Sequence, residues 1–127
     1  MPYNVLIVDD SPIVRKVVEK TLRLSGTELG EVSQAGNGRE ALDLLKDLWV
    51  DIVFADINMP EMDGIEMVER MWQTGLLKTV PVVIVSTERS VTRIEELRAK
   101  GVRAYLNKPF TPEEIKTIID EVLGGRS

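Results

Sequence analysis

Three short stretches of the chain, VLIV at 5–8, IVFA at 52–55 and VVIV at 82–85, contain no polar residue. A strand with one face in water alternates apolar and polar side chains, whereas a strand covered on both faces does not. Segments with helical spacing follow these runs. From Pro12 to Leu24, apolar residues fall at 13, 14, 17, 18, 22 and 24, and from Ile65 to Leu77 they fall at 65, 67, 68, 71 and 72. Further helices are predicted over Arg39 to Trp49, Val91 to Lys100 and Pro112 to about Leu123. Weaker strands at Glu31 to Ala35 and Ala104 to Asn107 complete five β-α units. Strands covered on both faces and separated by helices predict an α/β fold. It is a single doubly wound (βα)5 domain with an open five-stranded parallel sheet, because right-handed crossovers place helices on both sides.

Local signals punctuate the same units. Ser11-Pro12 reads as an N-cap and first helical position, and Thr111-Pro112-Glu113-Glu114 as a capping box. Asn37-Gly38 opens the second helix, Gly26 and Gly101 end others, and Asn58 to Gly64 is a loop by its Pro and Gly content. Trp49 and Trp72 fall in helices at apolar-face positions and are read as packing. Met67 and Met71 are read as core, and Met59 and Met62 leave open a sticky surface.

The totals exclude several function classes. The 127 residues carry no cysteine and no histidine, which removes disulfides, thiolate and imidazole metal sites, and Ser-His chemistry. Net charge is −5 with scattered Lys and Arg, so no basic footprint for nucleic acid is present. Neither a signal peptide nor a membrane span is recognisable, which makes cytoplasmic residence the expectation.

In parallel sheets, ligands sit outside the carboxyl ends of the strands. Strand one ends on Asp9 and Asp10, strand three on Asp56, strand four on Ser86 and Thr87, and strand five leads to Lys108. Singly, each has a plainer reading: a solvated turn for Asp9 and Asp10, a loop cap for Asp56 or Ser86, surface charge for Lys108. Together they converge on one edge. Three adjacent carboxylates raise one another's pKa unless a cation joins them. With oxygen donors only, a hard cation is implied, and Mg²⁺ fits. A divalent cation, a lysine and a hydroxyl suit a phosphoryl group.

The stretches VLIVDDSP, DIVFADINMPEMDG, PVVIVSTE and AYLNKPF, in this order, resemble the receiver domain of two-component response regulators. The resemblance runs from Asn4 to about Leu123 and is nearest to single-domain, CheY-like chemotaxis regulators. It implies a flavodoxin-like sheet with strand order 2-1-3-4-5. It further implies Asp56 as phosphoacceptor, with Mg²⁺ (or Mn²⁺ as substitute) held by Asp10, Asp56 and the backbone carbonyl of Asn58, and by Asp9 through a water. Lys108 and Ser86 take the phosphoryl oxygens, with Thr87 beside them. Lys108-Pro109 is expected to be cis.

The resemblance also implies a switch, in which Ser86 moves towards the phosphate and Tyr105 turns inward. The output face is then the fourth helix, fifth strand and fifth helix, including Val91, Ile94 and Tyr105. Asn58 and Glu88 accompany a short phosphoryl lifetime in chemotaxis-type members. Thr87 departs from the smaller Ala or Gly usual in the family. Expected partners are a sensor histidine kinase, a phosphatase and an output protein, with no nucleic acid or membrane contact, and a monomer is expected.

Two other classes share parts of this pattern. A haloacid-dehalogenase-like phosphohydrolase also uses an Asp nucleophile with Mg²⁺, but it wants D-x-D where this chain has Asp56-Ile57-Asn58. A flavodoxin-like cofactor binder wants a Ser-, Thr- and Gly-rich loop after strand one, where this chain has two acids. Within the receiver family, the short tail favours a stand-alone regulator over a receiver cut from a longer transcription factor.

Overall fold

The computed structural model describes residues 2–87 and 91–124. Five strands form one sheet: β1 (Tyr3–Val8), β2 (Leu29–Ala35), β3 (Ile52–Ala55), β4 (Val82–Ser86) and β5 (Ala104–Asn107). Their order is β2-β1-β3-β4-β5 and every neighbouring pair is parallel. The helices are α1 (Pro12–Leu24), α2 (Gly38–Asp47), α3 (Gly64–Thr74), the single turn α4 (Leu76–Thr79), α5 (Val91–Lys100) and α6 (Pro112–Leu123).

The apolar runs are explained by two cores, one on each face of the sheet. Val5, Ile7, Ile52, Phe54, Val83 and Val85 pack with Val18 and Leu22 of α1 and with Ile115, Ile119 and Leu123 of α6. The alternate residues Leu6, Val8, Val53, Ala55, Val82 and Ile84 pack with Met67, Val68 and Met71 of α3 and with Leu97 of α5. Successive side chains point to opposite faces, so both sets must be apolar. Each fully buried Leu, Ile or Phe contributes about 1.5–3 kcal/mol, which makes polar substitution in any of these runs costly.

Helix starts agree with the expected caps. The Ser11 hydroxyl accepts from Val14 N–H, and Thr111 and Glu114 form the reciprocal capping box. One expected helix is divided. The pattern from Ile65 to Leu77 breaks at Gly75, whose φ of 80° is left-handed and ends α3, and α4 is a separate turn. The helices read as fourth and fifth are therefore α5 and α6.

Both tryptophans correct the expectation of packing. Trp49 is 61% exposed and lies beyond α2, which ends at Asp47; its indole N–H donates to Asp51 at 3.2 Å. Trp72 is 58% exposed because the buried stripe of α3 is Gly64, Met67, Val68 and Met71, and residue 72 sits to one side of it. Met67, Met71 and Met62 are buried, and Met59 packs partly against the same core. Among the described residues, no helix is long and apolar enough to cross a membrane.

Candidate functional site

The carboxyl edge of the sheet is built from backbone that continues the ladder by one residue. Asp9 N–H donates to Ala35 O at 3.1 Å, and Asp56 N–H donates to Val8 O at 2.9 Å. Asp9 and Asp56 are thus fixed on adjacent strands before their side chains make any contact. Asp9 is 4% exposed, Asp56 is half-buried and Asp10 is exposed. One carboxylate oxygen from each of the three lies within 4.8 Å of the others.

Lys108 reaches this cluster from the end of β5. Its Nζ donates to Asp9 Oδ2 at 3.0 Å and stands 3.6 Å from Asp56 Oδ2. Its backbone is tied to the end of β4 as well. Lys108 N–H donates to Ser86 O at 3.1 Å, and the Lys108-Pro109 peptide is cis, as expected from the sequence. Asp9 Oδ1 accepts from Ser11 N–H at 2.9 Å, which places its charge at the start of α1, where the helix dipole favours an anion.

Burial raises the Asp56 pKa above its ordinary value, and the Asp9 charge adds to this. The Lys108 ammonium and the Ile57 N–H, which donates to Asp56 Oδ1 at 2.8 Å, oppose it. Burial prevails because a half-desolvated carboxylate loses hydration that one neighbouring ammonium does not replace. Three carboxylates meet one ammonium, that of Lys108, which pairs with Asp9 and Asp56, so negative charge is in excess in the cluster among the described residues.

The donor set fits a hard divalent cation: every converging atom is oxygen, and the uncompensated charge is negative.

The loop after β3 is tightly folded. Glu61 adopts a left-handed φ of 62°, Met62 N–H donates to Pro60 O at 2.7 Å, and Gly64 N–H donates back to Ile57 O at 2.8 Å. A Cβ on Gly64 would lie 2.1 Å from Asp56 O, so only glycine allows α3 to start this close to the acceptor's own peptide. The Asp63 carboxylate caps α3 by accepting from Glu66 N–H at 2.9 Å.

Of the residues singled out in the sequence, Asp9, Asp10, Asp56 and Lys108 meet in one cluster. Ser86 is 1% exposed at the end of β4, in register with Asn107 of β5. Thr87 and Asn58 are exposed at the rim, and Tyr105 is half-buried on β5 opposite Ile84. Glu88 lies outside the described residues. Arg15 was not singled out. Its Nη1 donates to Asp9 O at 2.6 Å, and its Nε donates to Gln34 Oε1 at 3.0 Å. The available signal was a cation in the first turn of a helix, where the dipole opposes it unless a specific acceptor is present.

Comparison with known proteins agrees with this geometry. The profile of the response regulator receiver domain matches residues 5–120. A chemotaxis protein CheY homolog of Campylobacter jejuni is 36% identical over 122 residues, covering 95% of this chain and 92% of that one. The structure of Vibrio cholerae chemotaxis protein CheY4 is similar with a TM-score of 0.84 at 36% identity, covering 97% of this chain and all of that one. The CheX-CheY complex of Borrelia burgdorferi with BeF3 and Mg²⁺ matches with a TM-score of 0.87 at 27% identity, over 96% of this chain and 90% of that one. By fold, motif order and sequence alike, the chain belongs to the response regulator receiver domain family and is CheY-like.

Proposed function

We propose that the chain is a phosphorylation-dependent switch of a two-component system, with Asp56 as the phosphoacceptor. The observation that carries this reading is the convergence of Asp9, Asp10 and Asp56 with Lys108 at the carboxyl edge of the sheet. Residues 5–120, the span matched by the receiver profile, act as one receiver unit of the chemotaxis type.

Asp56 attacks phosphorus through a carboxylate oxygen. An O–P bond forms as the P–N bond of a donor phosphohistidine breaks, and the leaving imidazole keeps the electron pair. The chain has no histidine, so that donor is a separate histidine kinase or a small acyl phosphate in its place. Mg²⁺, or Mn²⁺ in its stead, would be held by Asp10, Asp56 and the Asn58 carbonyl, with Asp9 reached through a water. When bound it supplies charge neutralisation for the phosphoryl oxygens, the main requirement of a loose phosphoryl transition state. Lys108 exchanges part of its contact with Asp9 and Asp56 for a phosphoryl oxygen. Ser86 and Thr87, at the end of β4, flank the same oxygens.

Phosphorylation adds about −1.5 to −2 of charge and new acceptor oxygens. Ser86 responds by moving towards them, and Tyr105 follows inward. The α5–β5–α6 face then presents a changed surface to an output protein. Hydrolysis of the aspartyl phosphate resets the site, with Asn58 and Glu88 setting its lifetime. A further protein partner is supported by the Borrelia neighbour, which is a complex of CheY with CheX. The chain works in the cytoplasm as a monomer.

Acetyl phosphate with and without Mg²⁺ tests the reading. Labelling should require Mg²⁺ and stop at one phosphoryl group per chain. Sustained turnover of a generic phosphate ester would instead place the chain with the phosphohydrolases.

A further inference from the structure

A groove of about 690 Å³ lies between α2 and α3, bounded by α4. Leu42, Leu45, Met62 and Leu76 line it with apolar surface, and its charged residues are Arg39, Lys46 and Arg70 against one acid, Asp43. Thr74 and Gly75 are shared with an adjoining cavity of about 640 Å³, where Trp72 and Lys78 stand. Four cations to one acid reverse the sign of a chain that carries 16 basic and 21 acidic residues in all.

These cations are available. Arg39 and Lys78 are exposed and form no ion pair among the described residues. Lys46 and Arg70 meet Asp43 and Glu66 at 3.5 Å, as exposed pairs within one helix. Such pairs are worth only a few tenths of a kcal/mol, so a better-placed carboxylate displaces them readily. The adjoining cavity adds the exposed Trp72 to the two Arg side chains of the groove, and Trp and Arg are among the residue types that most often carry binding energy at interfaces.

We propose that the α2–α3 groove is a docking site for an acidic amphipathic helix of a partner protein. Apolar side chains of that helix at i, i+3 or i+4, and i+7 enter the groove over Leu42, Leu45 and Leu76. Its flanking Asp and Glu residues face Arg39, Lys46, Arg70 and Lys78. The ten residues of α2 span about 15 Å, which matches about three turns of a partner helix. This surface is separate from the carboxylate cluster and from the α5–β5–α6 face, so it does not depend on Asp56 accepting a phosphoryl group.

Three fluorescein-labelled peptides test this, sharing one apolar helical stripe flanked by Glu, by Gln or by Lys. Titrated with the full chain, the Glu peptide should bind at least about tenfold more tightly than the Gln peptide and weaken as salt is added. The Lys peptide should bind least. Amide shifts in ¹⁵N spectra should be confined to residues 38–47 and 62–79. Arg39→Glu combined with Arg70→Glu should lower the affinity about tenfold or more, and Trp72→Ala severalfold. All three side chains are exposed, so unchanged thermal melting is expected and shows that the variants fold. Absence of Glu-peptide binding, equal binding of the three peptides, or shifts centred on α5 and α6 would overturn the proposal. So would sedimentation showing that a second copy of the chain occupies the groove.

Discussion

Replacing Gly64 by Ala should damage both the fold and the site, although Ala is the better helix former by about 1 kcal/mol. The added Cβ would stand 2.1 Å from Asp56 O and 3.0 Å from Ile57 Cα, both backbone atoms. Real Cβ atoms essentially never come closer than 3.0 Å to such an atom, so the 56–57 peptide or the start of α3 must retreat by about 1 Å. Overpacking of this kind costs about 1–3 kcal/mol, and losing the Gly64 N–H to Ile57 O bond adds about 1 kcal/mol. Less the helix-propensity gain, the net destabilisation is about 1–3 kcal/mol. At about 2.1 cal/mol/K per residue, 127 residues give an unfolding entropy of about 0.27 kcal/mol/K, and Tm falls by about 4–11 °C. Because the displaced peptide belongs to Asp56 itself, acetyl phosphate labelling of the folded variant should also slow. Differential scanning calorimetry and initial labelling rates measure the two effects. Gly36→Ala is the control, since its Cβ meets only the ends of the Glu40 and Arg15 side chains. A Gly64→Ala protein that melts within a degree of the parent and labels at the parent rate would refute the close-approach argument.

Three further outcomes are expected. Asp56→Asn should raise Tm at neutral pH without Mg²⁺, because burial disfavours the charged form and the raised folded pKa makes ionised Asp56 a destabilising group. The sign follows from the linkage: the stability contributed by Asp56 is complete below its unfolded pKa and is lost as pH rises through the folded value. The Tm difference between variant and parent should therefore shrink as pH falls towards 3.8, and calorimetry across that range reads it. Arg15→Met should lower Tm by about 6–11 °C by calorimetry, because the Asp9 carbonyl loses a charge-assisted hydrogen bond worth about 1.5–3 kcal/mol. The phosphorylated chain should decay far faster than long-lived transcription regulators; a form persisting for hours at room temperature, followed by radiolabel, would contradict the roles given to Asn58 and Glu88.

The core was readable because both faces of the sheet are covered. VLIV, IVFA and VVIV divide residue by residue between two cores, a demand that few other residue choices meet. The acids and Lys108 were readable for the converse reason: each follows an apolar run, so polarity reappears where the strand leaves the core. Helical periodicity alone located a stripe but not its edges, and Trp72 was misread for that reason. Trp49 was misread because α2 ends earlier than its pattern. Gly75 offered a break that the apolar spacing of Leu76 and Leu77 concealed. Arg15 and Gly64 act through backbone carbonyls, Asp9 O and Asp56 O, that are distant in sequence or visible only once strand and helix are packed together. Buried Asp51 belongs to the same group. Its carboxylate accepts Asn4 N–H at 2.8 Å and ties the start of β1 to β3.

The phosphoryl group is expected on Asp56 alone. After brief exposure to acetyl phosphate and Mg²⁺, borohydride reduction converts an aspartyl phosphate to homoserine, and peptide mass mapping locates it. Homoserine is expected at position 56 and nowhere else, and is absent when Mg²⁺ is withheld. Homoserine at position 9 or 10, or none at any carboxylate while phosphoryl label is retained, would contradict it.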